Sequence, residues 1–445
     1  MASVDPTWLE ELTGLLRIPS ISADPAHAED VRLAGAWVRD FVRRSGGEAE
    51  LVDWNGKWLV VGEIRASRDA DSAPTVLVYG HFDVQPPDPL DEWKAPPFEP
   101  TVDGEWLVCR GVADDKGQLY MLLKGAADLA AAGELPVNVR VTCDGEEEVG
   151  GHSIVDFIAE DERGADAAII FDSDMVGRGR PAFSVATRGL DYFHLEVRTG
   201  ERDLHSGVYG GAALNANHVL VSVLAGLVAK DGRVRDELRA GIVAPTAEEL
   251  AGWAELPPGA GELATQGARP MDARGADEFY VRTFGETTVE VNGIEGGSPV
   301  LQKTVLPVFA QANVSLRLAP GQKPTEVEEA FRRLVREATP DGADVKVGLW
   351  SSSEPGLVPP DAPAIKLAQD AFEETVGTRP LLVRSGGSIP FVPALAGRGI
   401  AAIVTGFALT ESNIHSPNER LLLEYLPLGV ATAKALYRRF AELPR

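Results

Sequence analysis

The sequence predicts an α/β fold in which a mixed, largely parallel sheet carries helices on both faces, with a smaller α+β domain inserted into the chain. Three observations support this prediction. The 445 residues are too many for one ordinary hydrophobic core, so two domains are expected. β-Branched apolar runs alternate with helical patterns, and this rhythm stops at Arg188-Gly189 and resumes after Glu354. We therefore expect a main domain at residues 1–187 and 355–445, and an inserted domain at residues 188–354.

The elements of the main domain follow from capping residues and apolar spacing. Asp5 and Pro6 mark the start of a first helix, whose apolar residues recur at helical spacing until Pro19 ends it. The next strands are expected at Trp58–Ile64, Thr75–Val78, Val137–Val141 and Ala167–Phe171. Helices are expected between them at Val31–Arg44 and Gly117–Ala132. This alternation is typical of a parallel sheet.

The inserted segment has a different pattern, in which alternating strands are combined with amphipathic helices. Its expected strands are Tyr192–Val197, Val314–Leu318 and Val345–Trp350. Its expected helices are Ala212–Lys230 and Thr325–Ala338. After a linker at Ser351–Gly356, the main domain is expected to end with a strand at Ala401–Val404 and a helix at Leu426–Leu443.

Composition excludes several classes of partner. A formal net charge of -25 opposes binding to nucleic acid phosphates and to anionic lipid, so neither nucleic acid nor a membrane is an expected partner. No run approaches the roughly 18 apolar residues of a membrane span, and the N-terminal residues lack the pattern of a secretory signal. Cys109 and Cys143 are too few for a disulfide framework. Together these features favour a cytoplasmic protein.

Histidines and paired acids follow the ends of successive predicted strands. They are His81 in Tyr79-Gly80-His81-Phe82-Asp83, the pair Asp114-Asp115, the run Glu146-Glu147-Glu148, Asp172 with Asp174, and His415 in Asn413-Ile414-His415-Ser416-Pro417. Each motif by itself is more typical of a surface or a turn. Functional groups of open α/β sheets gather beyond the carboxyl ends of the strands, so the joint placement of these motifs favours a single site.

Neighbouring carboxylates repel one another, and cations resolve that conflict. Imidazole and carboxylate ligands suit zinc, and also manganese or cobalt. The absence of a cysteine cluster argues against a closed structural zinc site. The sequence therefore predicts a catalytic metal site.

These motifs resemble the dinuclear metallopeptidase family that includes carnosinase-like dipeptidases, glutamate carboxypeptidases, aminoacylases and succinyl-diaminopimelate desuccinylases. The resemblance runs from about Leu12 to the C-terminus and is closest to the dipeptidase branch. It implies two divalent metal ions per subunit, zinc or else manganese or cobalt, in a catalytic main domain. The implied ligands are His81 and Asp172 for one metal, Glu148 and His415 for the other, and Asp114 for both.

The resemblance also assigns roles around the metals. It implies that Glu147 is the general base, acting on a water shared by both metals, and that Asp83 orients His81. Glu146 is an additional acid without an assigned role. Asp172 is preferred to Asp174 because its spacing to Pro181 and Arg188-Gly189 fits the dipeptidase branch. The family also has a cis peptide at the position of Asp114-Asp115.

The inserted domain resembles the family's lid or dimerisation domain. Within Asp203-Leu204-His205-Ser206-Gly207, His205 would enter the active site of a partner subunit and stabilise the oxyanion, which implies a homodimer. The implied substrate contacts are Arg317, which would bind the terminal carboxylate, with Thr304, Gly387 and Ser388. Ser385 stands where the family commonly has glutamate, and this departure bears on recognition of the substrate's amino terminus.

The function expected from the resemblance is hydrolysis of the peptide bond in dipeptides or other short peptides. Two alternatives within the family remain, an N-acyl-amino-acid deacylase and a carboxypeptidase. A third belongs to another class, because a peptide-binding protein without catalytic activity could have kept the fold.

Overall fold

The computed structural model describes residues 4–386 and 391–444, and the chain divides into two compact units. The main unit comprises Met1–Val185, Val358–Val383 and Ala394–Arg445, and the inserted unit comprises Ala186–Leu357 and Arg384–Pro393. The predicted α/β class is confirmed. The exact domain bounds and the role of the inserted segment as a lid or dimerisation domain stay predictions.

The helices and strands are numbered along the chain. The strands are β1 (Glu48–Trp54), β2 (Lys57–Ile64), β3 (Thr75–His81), β4 (Thr101–Asp103), β5 (Trp106–Val108), β6 (Asn138–Asp144), β7 (Ala167–Phe171), β8 (Ala182–Thr187), β9 (Gly189–Arg198), β10 (Leu204–His205), β11 (Thr288–Glu295), β12 (Val305–Leu306), β13 (Phe309–Leu318), β14 (Asp344–Ser353), β15 (Gly356–Leu357), β16 (Leu381–Ser385), β17 (Ala402–Thr405) and β18 (Arg420–Leu422). The α-helices are α1 (Pro6–Leu16), α2 (Ala28–Arg44), α3 (Lys116–Ala131), α4 (Ser153–Glu160), α5 (Ser206–Tyr209), α6 (Ala216–Leu227), α7 (Ala247–Trp253), α8 (Gly259–Thr265), α9 (Phe279–Gly285), α10 (Pro324–Ala338), α11 (Pro363–Val376), α12 (Phe391–Gly397) and α13 (Tyr425–Phe440).

The large sheet has a parallel centre and antiparallel margins. Its order is β1-β2-β6-β3-β7-β17-β8-β15, with β16 beside β8. The four central strands β6, β3, β7 and β17 run parallel, whereas β1, β2, β8 and β15 pair antiparallel. Every residue of β6 and β7 is buried, as expected for strands covered on both faces.

The parallel strands determine where the acidic motifs meet. β3 ends at His81, β6 ends shortly before Glu147, and β7 ends immediately before Asp172. Because parallel strands finish at the same edge of a sheet, these residues are brought to one place. α3 starts just after Asp114 and packs against α13, where a Cβ added to Gly125 would lie 2.7 Å from the side chain of Ala433.

The inserted unit contains an antiparallel sheet of order β11-β13-β9-β14, against which α6 and α10 pack. Residues of β13 alternate between buried and half-buried, which shows one face toward the core and one face away from it. The core joins Phe193, Val314, Val223 and Phe331. The predicted linker at Ser351–Gly356 begins inside β14, so its first three residues are strand.

None of the helices within residues 4–386 and 391–444 is both long and apolar enough to cross a membrane.

Candidate metal centre

Two groups of potential metal ligands share Asp114. The first comprises His81, Asp114 and Asp172, and the second comprises Asp114, Glu148 and His415; within each group, one ligand atom per residue lies within 4.8 Å of the others. Around His81, Nε2 is 3.0 Å from Asp114 Oδ1 and 3.8 Å from Asp172 Oδ1. The five residues expected to bind metal are therefore brought together by the main unit.

Asp114 presents its two oxygens to different imidazoles. Its Oδ1 lies beside His81 Nε2, and its Oδ2 lies 2.9 Å from His415 Nε2. His415 Nε2 is also 3.1 Å from Glu148 Oε2. A carboxylate placed between two sets of nitrogen and oxygen donors has the arrangement needed to bridge two cations.

The local backbone presents each of these side chains. Asp114 precedes Asp115 across a cis peptide bond, as expected from the family resemblance. Glu148 lies in a 3₁₀ turn, Glu147–Val149, that follows β6. His415 adopts the left-handed conformation with φ 61°, which is uncommon for a residue other than glycine and occurs at functional sites. The centre extends from the fully buried His81 to the half-exposed His415, so one end is accessible.

Neighbouring side chains hold the candidate ligands in place. Asp83 is fully buried; its Oδ1 is 3.3 Å from His81 Nδ1, and its Oδ2 accepts a hydrogen bond of 3.2 Å from the Glu148 backbone N–H. Gln85 Nε2 donates to the Glu148 carboxylate at 2.9 Å and to its backbone oxygen at 3.0 Å. A ligating imidazole normally needs such a partner on its second nitrogen, and Asp83 is placed to supply it.

The electrostatics of the centre favour added positive charge. Burial raises the pKa of Asp172 to about 8, with a further contribution from the charge of Asp114. Hydrogen bonds to Asp114 and Glu148 raise the pKa of His415 to about 10. Burial lowers the pKa of His81, but hydrogen bonds to Asp114 and Asp83 outweigh it and leave this pKa well above its usual value. The carboxylates thus retain protons on the imidazoles, and divalent cations could replace those protons.

The donor set fits zinc-type cations. It consists of imidazole nitrogens and carboxylate oxygens, and the two cysteines, which are free and buried, belong to neither ligand group. Asp174 is exposed, forms a β-bridge with Ala408, and belongs to neither ligand group. The geometry therefore favours Asp172 as the ligand after β7.

The three consecutive glutamates occupy different environments. Glu146 is buried, accepts a hydrogen bond of 2.8 Å from the Ser153 N–H at the start of α4, and pairs with Lys57 at 3.2 Å. These contacts of Glu146 therefore stabilise the loop between β6 and α4. Glu147 is half-buried, and burial raises the pKa of its carboxyl group. The charge of His81 lowers this pKa, and the charge of Glu148 raises it further. A carboxylate with a raised pKa is a stronger base than an ordinary glutamate.

The inserted unit contains the remaining predicted site residues. His205 is exposed, and its Nδ1 accepts a hydrogen bond of 3.0 Å from the Gly207 N–H, which leaves Nε2 as the outward nitrogen. The Ser206 N–H donates to the Thr304 carbonyl at 2.9 Å, so Thr304 lies beside His205. Gly387 and Ser388 lie outside the described residues.

Arg317, on β13, lines a cavity of about 520 Å³ together with Arg188. Arg188 is buried, donates to the Gly386 carbonyl at 3.1 Å, and has its pKa lowered to about 10 by burial and by the charge of Arg317. Two guanidinium groups so close together favour an anionic ligand.

Sequence reasoning missed two buried polar residues near the centre. Glu419 accepts hydrogen bonds from the segment ending at Asp114, and Gln118 donates to the Ala113 carbonyl at 2.8 Å while accepting from the Phe407 N–H at 2.6 Å. Glu419 follows His415 by four residues, which is the one signal that could have drawn attention to it. Its partners lie more than 300 residues away in the chain, beyond the reach of local patterns.

Comparison with known proteins finds peptidases that are similar over nearly the full length of the chain. The chain is 27% identical to the Cys-Gly metallodipeptidase DUG1 of Saccharomyces cerevisiae, covering 99% of this chain and 97% of that protein. It is 29% identical to the cysteinylglycine-S-conjugate dipeptidase of Corynebacterium striatum, covering 92% and 90%. Among solved structures, an M20 family metallo-carboxypeptidase from Sulfolobus solfataricus superposes with a TM-score of 0.80 at 26% identity, covering 98% of this chain and 100% of the other.

The family itself is established by a match that spans most of the chain. Residues 77–439 match the family model of peptidase family M20/M25/M40, and the matched region contains every candidate ligand. The resemblance inferred from the motifs is thereby confirmed, and the chain belongs to peptidase family M20/M25/M40.

Proposed function

We propose that this protein is a metal-dependent dipeptidase that hydrolyses the peptide bond of dipeptides. The observation that carries the proposal is the position of Asp114 between the two ligand groups, one centred on His81 and the other on His415. The similarity to two dipeptidases over nearly the full length of the chain supports dipeptides as the substrate class.

The proposed cofactors are two zinc ions, with manganese or cobalt as the alternatives to be tested. His81 and Asp172 would bind one ion, Glu148 and His415 the other, and Asp114 both. When bound, the ions supply Lewis acidity, which lowers the pKa of water toward ~7 and polarises the scissile carbonyl group.

Glu147 is the proposed general base. No hydrogen bond or ion pair of its side chain with another residue is found in the part of the chain that the structure describes, so its carboxylate is available to a water molecule. It would accept a proton from the attacking water and deliver that proton to the leaving amine. Asp83 would hold His81 in the orientation needed for binding metal.

The proposed assembly is a homodimer formed through the inserted unit, in which His205 stabilises the oxyanion of a partner's substrate. Exposed apolar side chains next to the β10–β12 pair support this proposal. Val300 is 89% exposed and Val208 is 69% exposed, and Leu301 and Tyr209 are also exposed. Exposed apolar side chains that flank β10 and β12 in sequence are consistent with an interface there.

The proposed substrate contacts are Arg317 for the terminal carboxylate, together with Thr304, Gly387 and Ser388. The half-buried position of Arg317 in a cavity that Arg188 also lines suits a carboxylate ligand. A cytoplasmic location stays a prediction.

A carboxypeptidase is the second candidate, and two observations favour it. The solved metallo-carboxypeptidase from Sulfolobus solfataricus has a similar fold over the full chain. Ser385 occupies a position where the family commonly has glutamate, and the loss of that carboxylate would alter how a substrate ammonium group is held.

A substrate panel separates these functions. The purified protein, loaded in turn with zinc, manganese or cobalt, would be assayed with free dipeptides, longer peptides and N-acyl amino acids. We expect free dipeptides to be cleaved fastest and a chelator to abolish the activity. Release of C-terminal residues from longer peptides at a higher rate would identify a carboxypeptidase, and preference for N-acyl amino acids would identify a deacylase. Binding without hydrolysis would identify a peptide-binding protein.

A further inference from the structure

A buried carboxylate joins the two loops that carry Asp114 and His415. Glu419 has no exposed surface, and both of its oxygens accept hydrogen bonds. Oε1 accepts from the backbone N–H groups of Ala113 at 2.8 Å and Asp114 at 3.1 Å. Oε2 accepts from the Gly111 N–H at 3.0 Å and from Arg110 Nη1 at 2.7 Å. One side chain thus satisfies four donors within five consecutive residues.

These four donors determine the shape of the turn that presents Asp114. The turn passes through Gly111 in the left-handed conformation, with φ 84°, before it reaches the cis peptide after Asp114. Three backbone N–H groups, those of Gly111, Ala113 and Asp114, converge on one carboxylate, so the peptide planes leading into Asp114 are fixed by Glu419. The direction of the Asp114 side chain therefore depends on Glu419.

Glu419 also fixes the segment that presents His415. Its backbone oxygen accepts a hydrogen bond of 3.0 Å from the Cys109 N–H, and β18 continues this pairing beside β5. Only three residues separate His415 from Glu419, and His415 and Asn418 both have positive φ. A shift of Glu419 would therefore change the separation between His415 Nε2 and Asp114 Oδ2.

We propose that Glu419 is a positioning residue for the metal centre, which holds Asp114 and His415 at the separation that two cations require. This inference rests on the proposed metal centre and not on the identity of the substrate. A carboxylate is needed at this position because its four partners are all donors. In Glu419→Gln, the new NH₂ group would face N–H groups that cannot accept a hydrogen bond.

A buried ion pair can have a purely structural role, so the test needs a matched control. Asp161 supplies one, because its carboxylate pairs with the buried Arg140 through two hydrogen bonds of 2.6 Å and accepts a backbone N–H from Gly164 at 3.1 Å. Arg140 lies near the start of β6, whereas the candidate ligands follow the strand ends. Asp161→Asn therefore perturbs a similar pair without touching the loops of Asp114 or His415.

The experiment measures zinc affinity by competition with a chromophoric chelator, without any peptide substrate. In Glu419→Gln, we expect the affinity for at least one of the two zinc ions to fall about 10- to 100-fold, the usual effect of removing a residue that orients metal ligands. Asp161→Asn should retain wild-type zinc affinity. Wild-type affinity for both ions in Glu419→Gln, or an equal loss in the two variants, would overturn the proposal.

A second variant covers the case in which Glu419→Gln does not fold. Glu419→Asp keeps the charge but is shorter by one methylene group, so it cannot reach all four donors at once. We expect a smaller loss of zinc affinity in Glu419→Asp, and wild-type affinity in this folded variant would overturn the proposal. Because no substrate is present, a wild-type protein that binds two zinc ions but cleaves no dipeptide would refute the proposed function and leave this test valid.

Discussion

Zinc binding to the metal-free protein should release protons, because carboxylates hold protons on the two imidazoles of the centre. The pKa of His415 is raised to about 10 by its hydrogen bonds to Asp114 and Glu148. Burial lowers the pKa of His81, but its hydrogen bonds to Asp114 and Asp83 raise it well above its usual value. An imidazole binds a metal ion only in its neutral form. Each imidazole must therefore lose a proton when a metal ion binds.

The number of protons released follows from these pKa shifts. At pH 7 His415 carries a proton because its pKa is raised to about 10, and the raised pKa of His81 favours a proton there too, so filling both sites should release one to two protons per chain. Burial, with a smaller contribution from the charge of Asp114, raises the pKa of Asp172 to about 8. Asp172 can therefore contribute up to one more proton. For each proton displaced, the apparent zinc affinity should rise about tenfold per pH unit between pH 6 and 8.

Isothermal titration calorimetry in buffers of different ionisation enthalpy counts the released protons directly. We expect one to three protons per chain, and about one fewer in His415→Asn, which lacks one titrating imidazole. A proton count near zero, together with a zinc affinity that does not change between pH 6 and 8, would refute the reasoning.

Three further predictions concern catalysis. Glu147→Gln should retain two zinc ions while turnover falls by about 10²- to 10⁴-fold, because a general base is lost. Metal analysis measures the zinc content, and a dipeptide assay measures the turnover. A variant with more than a tenth of wild-type turnover would exclude Glu147 as the general base. Mixing Glu147→Gln with His205→Ala should restore part of the turnover through hybrid dimers, and no recovery despite demonstrated subunit exchange would contradict a shared site. Arg317→Lys should raise KM for dipeptides about 10-fold or more, because a lysine cannot pair with a carboxylate through two parallel hydrogen bonds. A KM equal to that of the wild type would exclude Arg317 as the residue that binds the substrate carboxylate.

The centre of the fold could be predicted from sequence because its signals are strong and local. Strands buried on both faces appear as continuous apolar runs, and Ala167–Phe171 was predicted with the bounds that β7 has. α3 and α13 were also expected within a few residues of their observed ends.

The margins of the fold were harder to predict. α7, α8 and α9 have seven residues each, too few for a clear helical period, and none of them was expected. β1 was also missed, although Asn55-Gly56 before β2 is a strong hairpin signal.

The candidate ligands could be expected because their residue types are distinctive and because they follow strand ends. The residues that support them could not. Gln118 and Glu419 act through backbone groups that are close only in the folded chain, and nothing in their local sequence specifies those partners. The role of Glu146 was also left open, because its contact with the start of α4 depends on how the loop folds.

The central claim is that carboxylates and imidazoles from five separate positions enclose two cations on either side of Asp114. Anomalous diffraction from crystals of the zinc-loaded protein, measured at the zinc absorption edge, tests it most directly. We expect two peaks about 3.5–4 Å apart, one beside His81 and Asp172 and the other beside Glu148 and His415. A single peak, or two peaks away from Asp114, would contradict it.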